Sequence, residues 1–328
     1  MRTIVTGSIA YDYIMSFPGD FSEHILPDKI DVLSVSFLVD SLRREPGGCA
    51  ANIAYNLALL GERPTILATV GEDFEPDRLR LEREGVDTSM IKAIPGTATS
   101  SFFVSTDQKS RQIASFYIGA MGSASELSFH DIEAGPDDIA IIAPNAPEAM
   151  VKYVEECKAL GIPYVYDPSQ QIVRLTGEQL SAGIAGSRCF VANEYEYELV
   201  HDKTGMSEED LLGLTEVLVV THGQKGSVIK AAGETHHIPV VPAEAEVDPT
   251  GVGDAYRAGI LFGLHHDLPW PLAGRLGAVS ATYALEALGT QAHGHTLPTF
   301  LKRYESAFGP VPGVLTETLQ RVAARSKA

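Results

Sequence analysis

Apolar residues in this chain come in short continuous runs separated by longer amphipathic stretches. TIVTG (3–7), TILATV (65–70), IAIIAP (139–144), YVYDP (164–168), CFVAN (189–193) and EVLVVT (216–221) are such runs. They are too short for helices and apolar at successive positions, so they predict strands buried on both faces. Between them, NIAYNLALLG (52–61) and EAMVKYVEECKALG (148–161) have helical periodicity, and each closes on a glycine. Glycine just past the last apolar position is a natural helix terminator. Strand, helix, strand, repeated, predicts an α/β fold with a mainly parallel central sheet and helices on both faces. In such sheets ligands bind beyond the carboxyl ends of the strands.

Two regions interrupt this rhythm. Residues 13–46 mix polar and aromatic pieces without a helical period, and residues 97–118 read as two strands joined by a turn at Asp107-Gln108-Lys109. Together they predict a small β lid over a core made of residues 1–12, 47–96 and 119–328. A surface hairpin with no part in binding is the competing reading. From residue 251 onward the chain is mostly helical, ending in a helix near 314–325. No internal repeat or low-complexity segment is visible.

Length and composition narrow the picture. The 328 residues suffice for one large α/β domain with a small appendage. A net charge of −18 excludes DNA and RNA polymers as partners, since their phosphates require a basic surface. It leaves room for a small phosphorylated ligand at a locally positive site. Cys49, Cys157 and Cys189 are too far apart and too few for a disulfide framework or a zinc motif. The N-terminal residues lack the basic and apolar segments of a signal peptide, and no run of about 18 apolar residues suggests a membrane span. A cytoplasmic location is expected.

The chemistry concentrates in DPTGVGDAYRAG (248–259), where glycines precede an aspartate at the start of a helical run. Unpaired amides at a helix start attract anions, and glycines let a phosphate approach the backbone. Gly251, Val252 and Gly253 can thus form an anion hole, with Asp254 as a general base beside it. On spacing alone, Asp254 reads equally well as a carboxylate that merely complements the helix dipole. Neither a GxxxxGK[ST] phosphate loop nor a complete GxGxxG is present.

Two segments, GGCAANIAYNLALLG (47–61) and DPTGVGDAYRAG (248–259), resemble the two signatures of the ribokinase-like carbohydrate kinases, the PfkB family. The resemblance extends over nearly the whole chain. GSIAYD (7–12), EHILPD (23–28), SFLV (36–39) and RREPGGCAANIAY (43–55) look most like its bacterial nucleoside kinases. It implies a ribokinase-like fold and transfer of a phosphoryl group from ATP to the 5′-hydroxyl of a ribonucleoside, in purine salvage. Adenosine is the leading substrate, with inosine and guanosine next. Val252 stands where the family has a small Ala or Cys, but its N–H is unchanged.

The same resemblance assigns the other residues. Asp12 accepts two vicinal ribose hydroxyls; read alone, it is an ordinary turn former. Gly47 and Gly48 admit the sugar to the backbone, and Asn52 is placed to donate to a ribose hydroxyl. Asn193 and Glu196, in an N-x-x-E pattern, organise Mg²⁺ and its waters near the triphosphate. Thr221, Gly223 and Gly226 match a T-x-G-x-x-G nucleotide loop. Arg257 either steadies a phosphate or forms a surface ion pair, and Gln170 is a further phosphate candidate. Phe37, then Phe116, are candidates to stack on the base, against simple packing within the lid. K⁺ could be held by backbone oxygens around Asp248. His293-Gly294-His295 reads as an exposed loop rather than a metal site. A monomer or homodimer is expected. A kinase for ribose or a hexose is the nearest alternative, and a non-catalytic ligand sensor of this fold a more distant one.

Overall fold

Along the first strand, Val5 enters one apolar cluster and its neighbour Ile4 enters another. That alternation is what a strand covered on both faces requires. It appears in a computed structural model that describes residues 2–25, 31–32, 34–109 and 111–325. The strands are β1 (Thr3–Thr6), β2 (Ala10–Ser16), β3 (Ser41–Gly47), β4 (Thr65–Val70), β5 (Ile91–Ala93), β6 (Ser100–Thr106), β7 (Gln112–Tyr117), β8 (Ile139–Ile142), β9 (Tyr164–Tyr166), β10 (Cys189–Asn193), β11 (Val217–Thr221), β12 (Ser227–Ala231) and β13 (Glu234–Ile238). The helices are α1 (Phe21–His24), α2 (Cys49–Leu59), α3 (Glu75–Arg83), α4 (Pro147–Leu160), α5 (Gly177–Ile184), α6 (Glu194–Thr204), α7 (Glu208–Leu214), α8 (Val252–His265), α9 (Trp270–Leu285), α10 (Leu297–Phe308) and α11 (Gly313–Arg325).

Nine strands form the central sheet in the order β13-β12-β11-β10-β9-β8-β1-β4-β5. β5 through β11 in this order are parallel, while β12 and β13 add an antiparallel edge. One face packs on α2, α3 and α8 to α11, burying Ile53, Leu81, Phe262, Leu276, Phe300 and Leu319. The opposite face packs on α4 to α7 through Tyr153, Leu180, Val200 and Leu211. Gly161 takes a left-handed conformation at the end of α4, as its sequence position predicted.

A second sheet has the order β3-β2-β6-β7. β2 runs antiparallel to β3 and parallel to β6, and β6 pairs antiparallel with β7. It joins the two segments that broke the α/β rhythm. The expected boundary after residue 12 does not match the pairing, because β2 is hydrogen-bonded in this sheet from Ala10 onward. Asp12 therefore stands on the small sheet rather than at the end of β1. No described helix is long and apolar enough to cross a membrane.

Candidate active site

The carboxyl ends of β9, β10 and β11 deliver Asp167, Asn193 and Thr221 to one edge of the central sheet. Asn193 and Thr221 are paired neighbours in register. Gly251 caps α8 in a left-handed conformation, and Asp254 lies in the first turn of that helix. The first amides of a helix have no carbonyl one turn back, so this end carries donors and partial positive charge. One of the expected anion donors, the Val252 N–H, is turned toward the Pro249 carbonyl at 3.4 Å.

Asp254 is held from the side. Asn52, on α2, donates its amide to Asp254 Oδ2 at 2.8 Å. Burial raises the pKa of Asp254, against the lowering effects of Arg257, Asn52 and Cys49. A carboxylate shifted upward in this way is a stronger proton acceptor than an exposed aspartate. Asn52 itself is buried, and its carbonyl accepts from Gln291 Nε2 at 2.7 Å. Arg80 in turn donates to Gln291 Oε1 at 2.6 Å. Asn52 was expected to serve the ribose; one amide hydrogen serves Asp254 and its oxygen accepts from Gln291, which leaves one hydrogen for a ligand.

Gly48 precedes α2 with φ of 90°, and a Cβ there would come within 2.5 Å of the Ser8 carbonyl oxygen. Only glycine fits that crossing of the turn over the end of β1. Gly47 lies against Asp12, whose carboxylate would be 2.8 Å from an added Cβ. Burial, then the charges of Asp248, Glu45 and Asp254, raise Asp12 to a pKa of about 6. Among the described residues no hydrogen bond to Asp12 offsets this. An unpartnered acceptor surrounded by acids suits a ligand that brings hydroxyl donors.

Asp12, Glu45, Phe102 and Phe116 are cross-strand partners in the small sheet. Opposed residues share a face, so Phe102 and Phe116 flank the Asp12 side of the lid. Phe116 is 52% exposed. Phe37 instead packs against Phe17, Phe21 and His24, with ring centroids 4.8–6.0 Å apart. Phe116 thus presents its ring, and Phe37 contributes to a local aromatic cluster. That Phe102 shares this face is not readable from the sequence, because a hairpin's sequence does not reveal which face is inward.

Arg257 is not a surface residue. It is buried, its Nε and Nη2 face Asp167, with Nη2 donating to Oδ1 at 2.8 Å, and Nη2 also lies 3.8 Å from Glu196 Oε2. Burial opposes its charge, but Asp167, Asp254 and Glu196 hold its pKa above the ordinary arginine value. It is thus the buried cation among three acids, Asp167, Asp254 and Glu196. Asp167 was missed; an aspartate followed by proline after a strand reads as a turn.

Asn193 and Glu196 form a reciprocal cap at the start of α6, each side chain accepting the other's N–H at 2.8 Å. Ser169, in a left-handed conformation unusual for serine, donates to Glu196 Oε1 at 2.8 Å. Gln170, next to it, is exposed. Gly226 (φ 87°) is required by β13: a Cβ there would lie 2.1 Å from the Ile238 carbonyl oxygen. That is a backbone crossing, so the close approach expected for ATP is not what demands glycine. Asp248 accepts from the backbone of Thr250 and Gly289, at 2.9 and 3.1 Å, and fastens the loop before α8. His293 and His295, expected in an exposed loop, are buried and part-buried; His293 Nε2 meets Asn56 Oδ1 at 2.9 Å.

The glycine turn on α2 and the Asp254 turn on α8 thus face one another through a direct hydrogen bond. The model of the pfkB family of carbohydrate kinases matches residues 15–297. This chain belongs to that family. Among pfkB relatives, a nucleoside kinase of Methanocaldococcus jannaschii is 30% identical over 302 residues, covering 91% of this chain and 94% of the relative. The structure of a Burkholderia thailandensis nucleoside kinase in complex with inosine superposes with a TM-score of 0.84 at 37% identity, covering 95% and 99% of the two chains. The structure of the M. jannaschii enzyme gives 0.83 at 28% identity, covering 93% and 99%. The pfkB fold accounts for the mainly parallel sheet and for the small second sheet.

Phosphoryl donors of this family are nucleotides carried with a divalent cation, and the site's donors fit such an ion held through water. They are the hard oxygens of Glu196 and Asn193, as a hard divalent cation prefers. Both Glu196 oxygens already accept hydrogen bonds from Ser169 and Asn193. Contact through an ion's water shell fits that occupancy better than direct ligation.

Proposed function

We propose that this protein is an ATP-dependent nucleoside kinase that phosphorylates the 5′-hydroxyl of a ribonucleoside, with adenosine the leading substrate and inosine and guanosine next. The observation that carries this reading is Asp254, a buried carboxylate of raised pKa in the amide-rich first turn of α8, held by Asn52. The extensive likeness to nucleoside kinases, one of them described with inosine, supports the acceptor class.

In this reading Asp254 orients the 5′-hydroxyl and takes its proton as the oxygen attacks the terminal phosphorus. The amides of Gly251, Val252 and Gly253 receive the charge that develops on the transferring group. For Val252 this needs only the release of its long contact to Pro249. Mg²⁺, organised from Asn193 and Glu196 through water, neutralises phosphate charge when bound; K⁺ near Asp248 is a second ion to test. Thr221, Gly223 and Gly226 border the nucleotide, with Gln170 and the buried Arg257 on the phosphate side. Asp12 accepts the 2′- and 3′-hydroxyls beside Gly47 and Gly48, and Phe116, rather than Phe37, meets the base. The lid expected at 13–46 and 97–118, of which 26–30, 33 and 110 lie outside the described residues, is represented by the small sheet of β2, β3, β6 and β7; it closes over the acceptor and limits hydrolysis of ATP. The reaction is expected to take place in the cytoplasm and to serve purine salvage.

The test is ATP-dependent phosphorylation of a panel: adenosine, inosine, guanosine, ribose and a hexose. Higher kcat/KM on nucleosides is expected. Comparable or higher kcat/KM on free sugars would move the protein to the sugar kinases. Nucleoside binding without product would make it a sensor.

A further inference from the structure

The hydrogen bond that holds Asp254 is the last of a chain that begins at the small sheet. Tyr11 on β2 donates its hydroxyl to Asp77 Oδ2, on α3, at 2.7 Å. Arg44 on β3 donates to the same oxygen at 3.3 Å, its guanidinium 3.7 Å above the Tyr11 ring. The other oxygen of Asp77, Oδ1, accepts from Arg80 Nε, one turn along α3, at 3.2 Å. Arg80 Nη2 then donates to Gln291 Oε1 at 2.6 Å, Gln291 Nε2 to Asn52 Oδ1 at 2.7 Å, and Asn52 Nδ2 to Asp254 Oδ2 at 2.8 Å. Thr290, beside Gln291, donates its hydroxyl to the Pro46 carbonyl of β3 at 2.8 Å, so the loop after α9 is also tied to the sheet. Side chains from β2, β3, α3, α2 and α8 are joined in this way.

The chemistry of its ends gives this chain a direction. A guanidinium has donors only, and an ionised carboxylate has acceptors only. The Gln291 and Asn52 amides between them can each be turned end for end. Only one combination pairs a donor with an acceptor at every contact. Gln291 must offer its oxygen to Arg80, so its NH₂ meets the Asn52 oxygen, and the Asn52 NH₂ meets Asp254. Asn52 and Gln291 are buried, where a mismatched amide has no water to turn to. Apolar side chains would fill the same space without the cost of burying amides, so packing alone does not call for them.

We propose that Arg80 and Gln291 are positioning residues for phosphoryl transfer, acting through Asn52 to keep an N–H, rather than an oxygen, against Asp254. This rests on the reading of Asp254 as the base that takes the 5′-hydroxyl proton. With the chain intact, the Asn52 N–H stabilises the ionised base and fixes its orientation. With Asn52 reversed, an amide oxygen would face the carboxylate and disfavour its charge. Asp77 anchors Arg80 to the small sheet through Tyr11. Tyr11 precedes Asp12 on β2, and successive strand residues point to opposite faces. The strand that presents Asp12 to the acceptor thus holds, from its other face, the far end of the chain that orients the base. The charged and titratable groups that face Asp254 are Arg257 on its own helix, Cys49 on α2, Glu196 on α6, Asp12 on β2 and Asp167 after β9. None of them belongs to the chain, so its variants leave them in place.

The test follows kcat against pH at saturating nucleoside and ATP with Mg²⁺, where Asp12 is engaged by its ligand. Gln291→Glu keeps the size of the side chain and its bond to Arg80 but has acceptors only. It draws the Asn52 NH₂ to itself and turns the Asn52 oxygen to Asp254. The acidic limb should move up by about one pH unit or more, the size expected for losing a charge-assisted hydrogen bond. Arg80→Met, which frees Gln291 to turn, should move the limb the same way, and Arg80→Lys, again a donor only, should restore it. In an Asn52→Ala background Gln291→Glu should add little, because the amide it acts through is gone. Circular dichroism and an unchanged KM for ATP exclude general damage. Folded Gln291→Glu and Arg80→Met variants with the wild-type limb, or an equal shift by Gln291→Glu with and without Asn52, would overturn the proposal. If Gln291→Glu does not fold, Arg80→Met against Arg80→Lys decides. Asp254→Asn, run alongside, separates this proposal from the reading beneath it. Normal turnover there would remove the base itself, whereas an inactive Asp254→Asn with unshifted limbs in the other variants would remove only the positioning role.

Discussion

Asn52 Nδ2 donates to Asp254 Oδ2 across 2.8 Å, joining α2 to the first turn of α8. Because Asn52 also accepts from Gln291, which is held by Arg80, the amide cannot turn away without breaking a buried chain. The bond lowers the pKa of Asp254 against the larger, raising effect of burial. Asn52→Ala should therefore let that pKa rise further. The base works ionised, so the acidic limb of the kcat/KM profile should move to higher pH. A purely structural role for Asn52 would lower activity without moving that limb.

Asp254→Asn keeps the shape and the hydrogen-bonding reach of the side chain while removing the base. Substrate binding should persist, and kcat should fall by at least about 100-fold, the scale of general-base contributions. Calorimetric binding of nucleoside alongside steady-state rates separates the two effects. Near-normal turnover would remove Asp254 from the chemistry.

The interior strands and the glycine-bounded helices were legible because a strand buried on both faces leaves a continuous apolar run. β12 and β13 were not. SVIKA alternates, and ETHHI carries one buried apolar residue at the sheet edge, so neither gives the signal of β8 or β10. The site divides in the same way. Glycines and Asp254 stand in a local pattern, whereas Asp167 meets Arg257 across 90 residues of sequence. Phe102 was hidden by register: one position decides the face, and the sequence of a hairpin leaves that position open.

Arg257 and Asp167 supply a stability test. Removing one member of a buried pair leaves an uncompensated charge, costing about 3–5 kcal/mol, whereas an exposed pair contributes about 0–1 kcal/mol. Arg257→Met should fall in the first range in urea denaturation, and adding Asp167→Asn should recover much of the loss. A single-variant effect within the second range would contradict the burial of the pair.

The small sheet should respond to nucleoside. β7 is exposed along its whole length, and Phe116 offers a bare ring. Hydrogen exchange should slow in β2, β3, β6 and β7 at saturating nucleoside, as the sheet settles on the ligand. Unchanged exchange in all four strands with ligand demonstrably bound would mean that this sheet is no lid.

Asp12 connects stability, pH and substrate choice. Its folded pKa of about 6 exceeds the ordinary value of 3.8, so the native state binds more protons than the unfolded chain between these values. Its charge therefore costs stability above about pH 6, and the cost disappears as the pH falls toward 3.8. The shift corresponds to at most about 3 kcal/mol. Asp12→Asn should accordingly raise Tm at neutral pH and leave it unchanged in acid. The same variant should lose most activity on adenosine, because the ionised carboxylate is the acceptor for the ribose hydroxyls. For the wild type, KM for adenosine should rise as the pH drops below about 6. With one hydroxyl missing, 2′-deoxyadenosine leaves the desolvated carboxylate partly unpaired and should be a much poorer substrate. Free ribose satisfies the carboxylate but buries no base, forgoing about 25 cal/mol for each Å² of apolar contact. It should bind weakly. Equal turnover of adenosine and its 2′-deoxy analogue would reject the role of Asp12 alone, whereas equal kcat/KM for ribose and adenosine would reject the nucleoside itself.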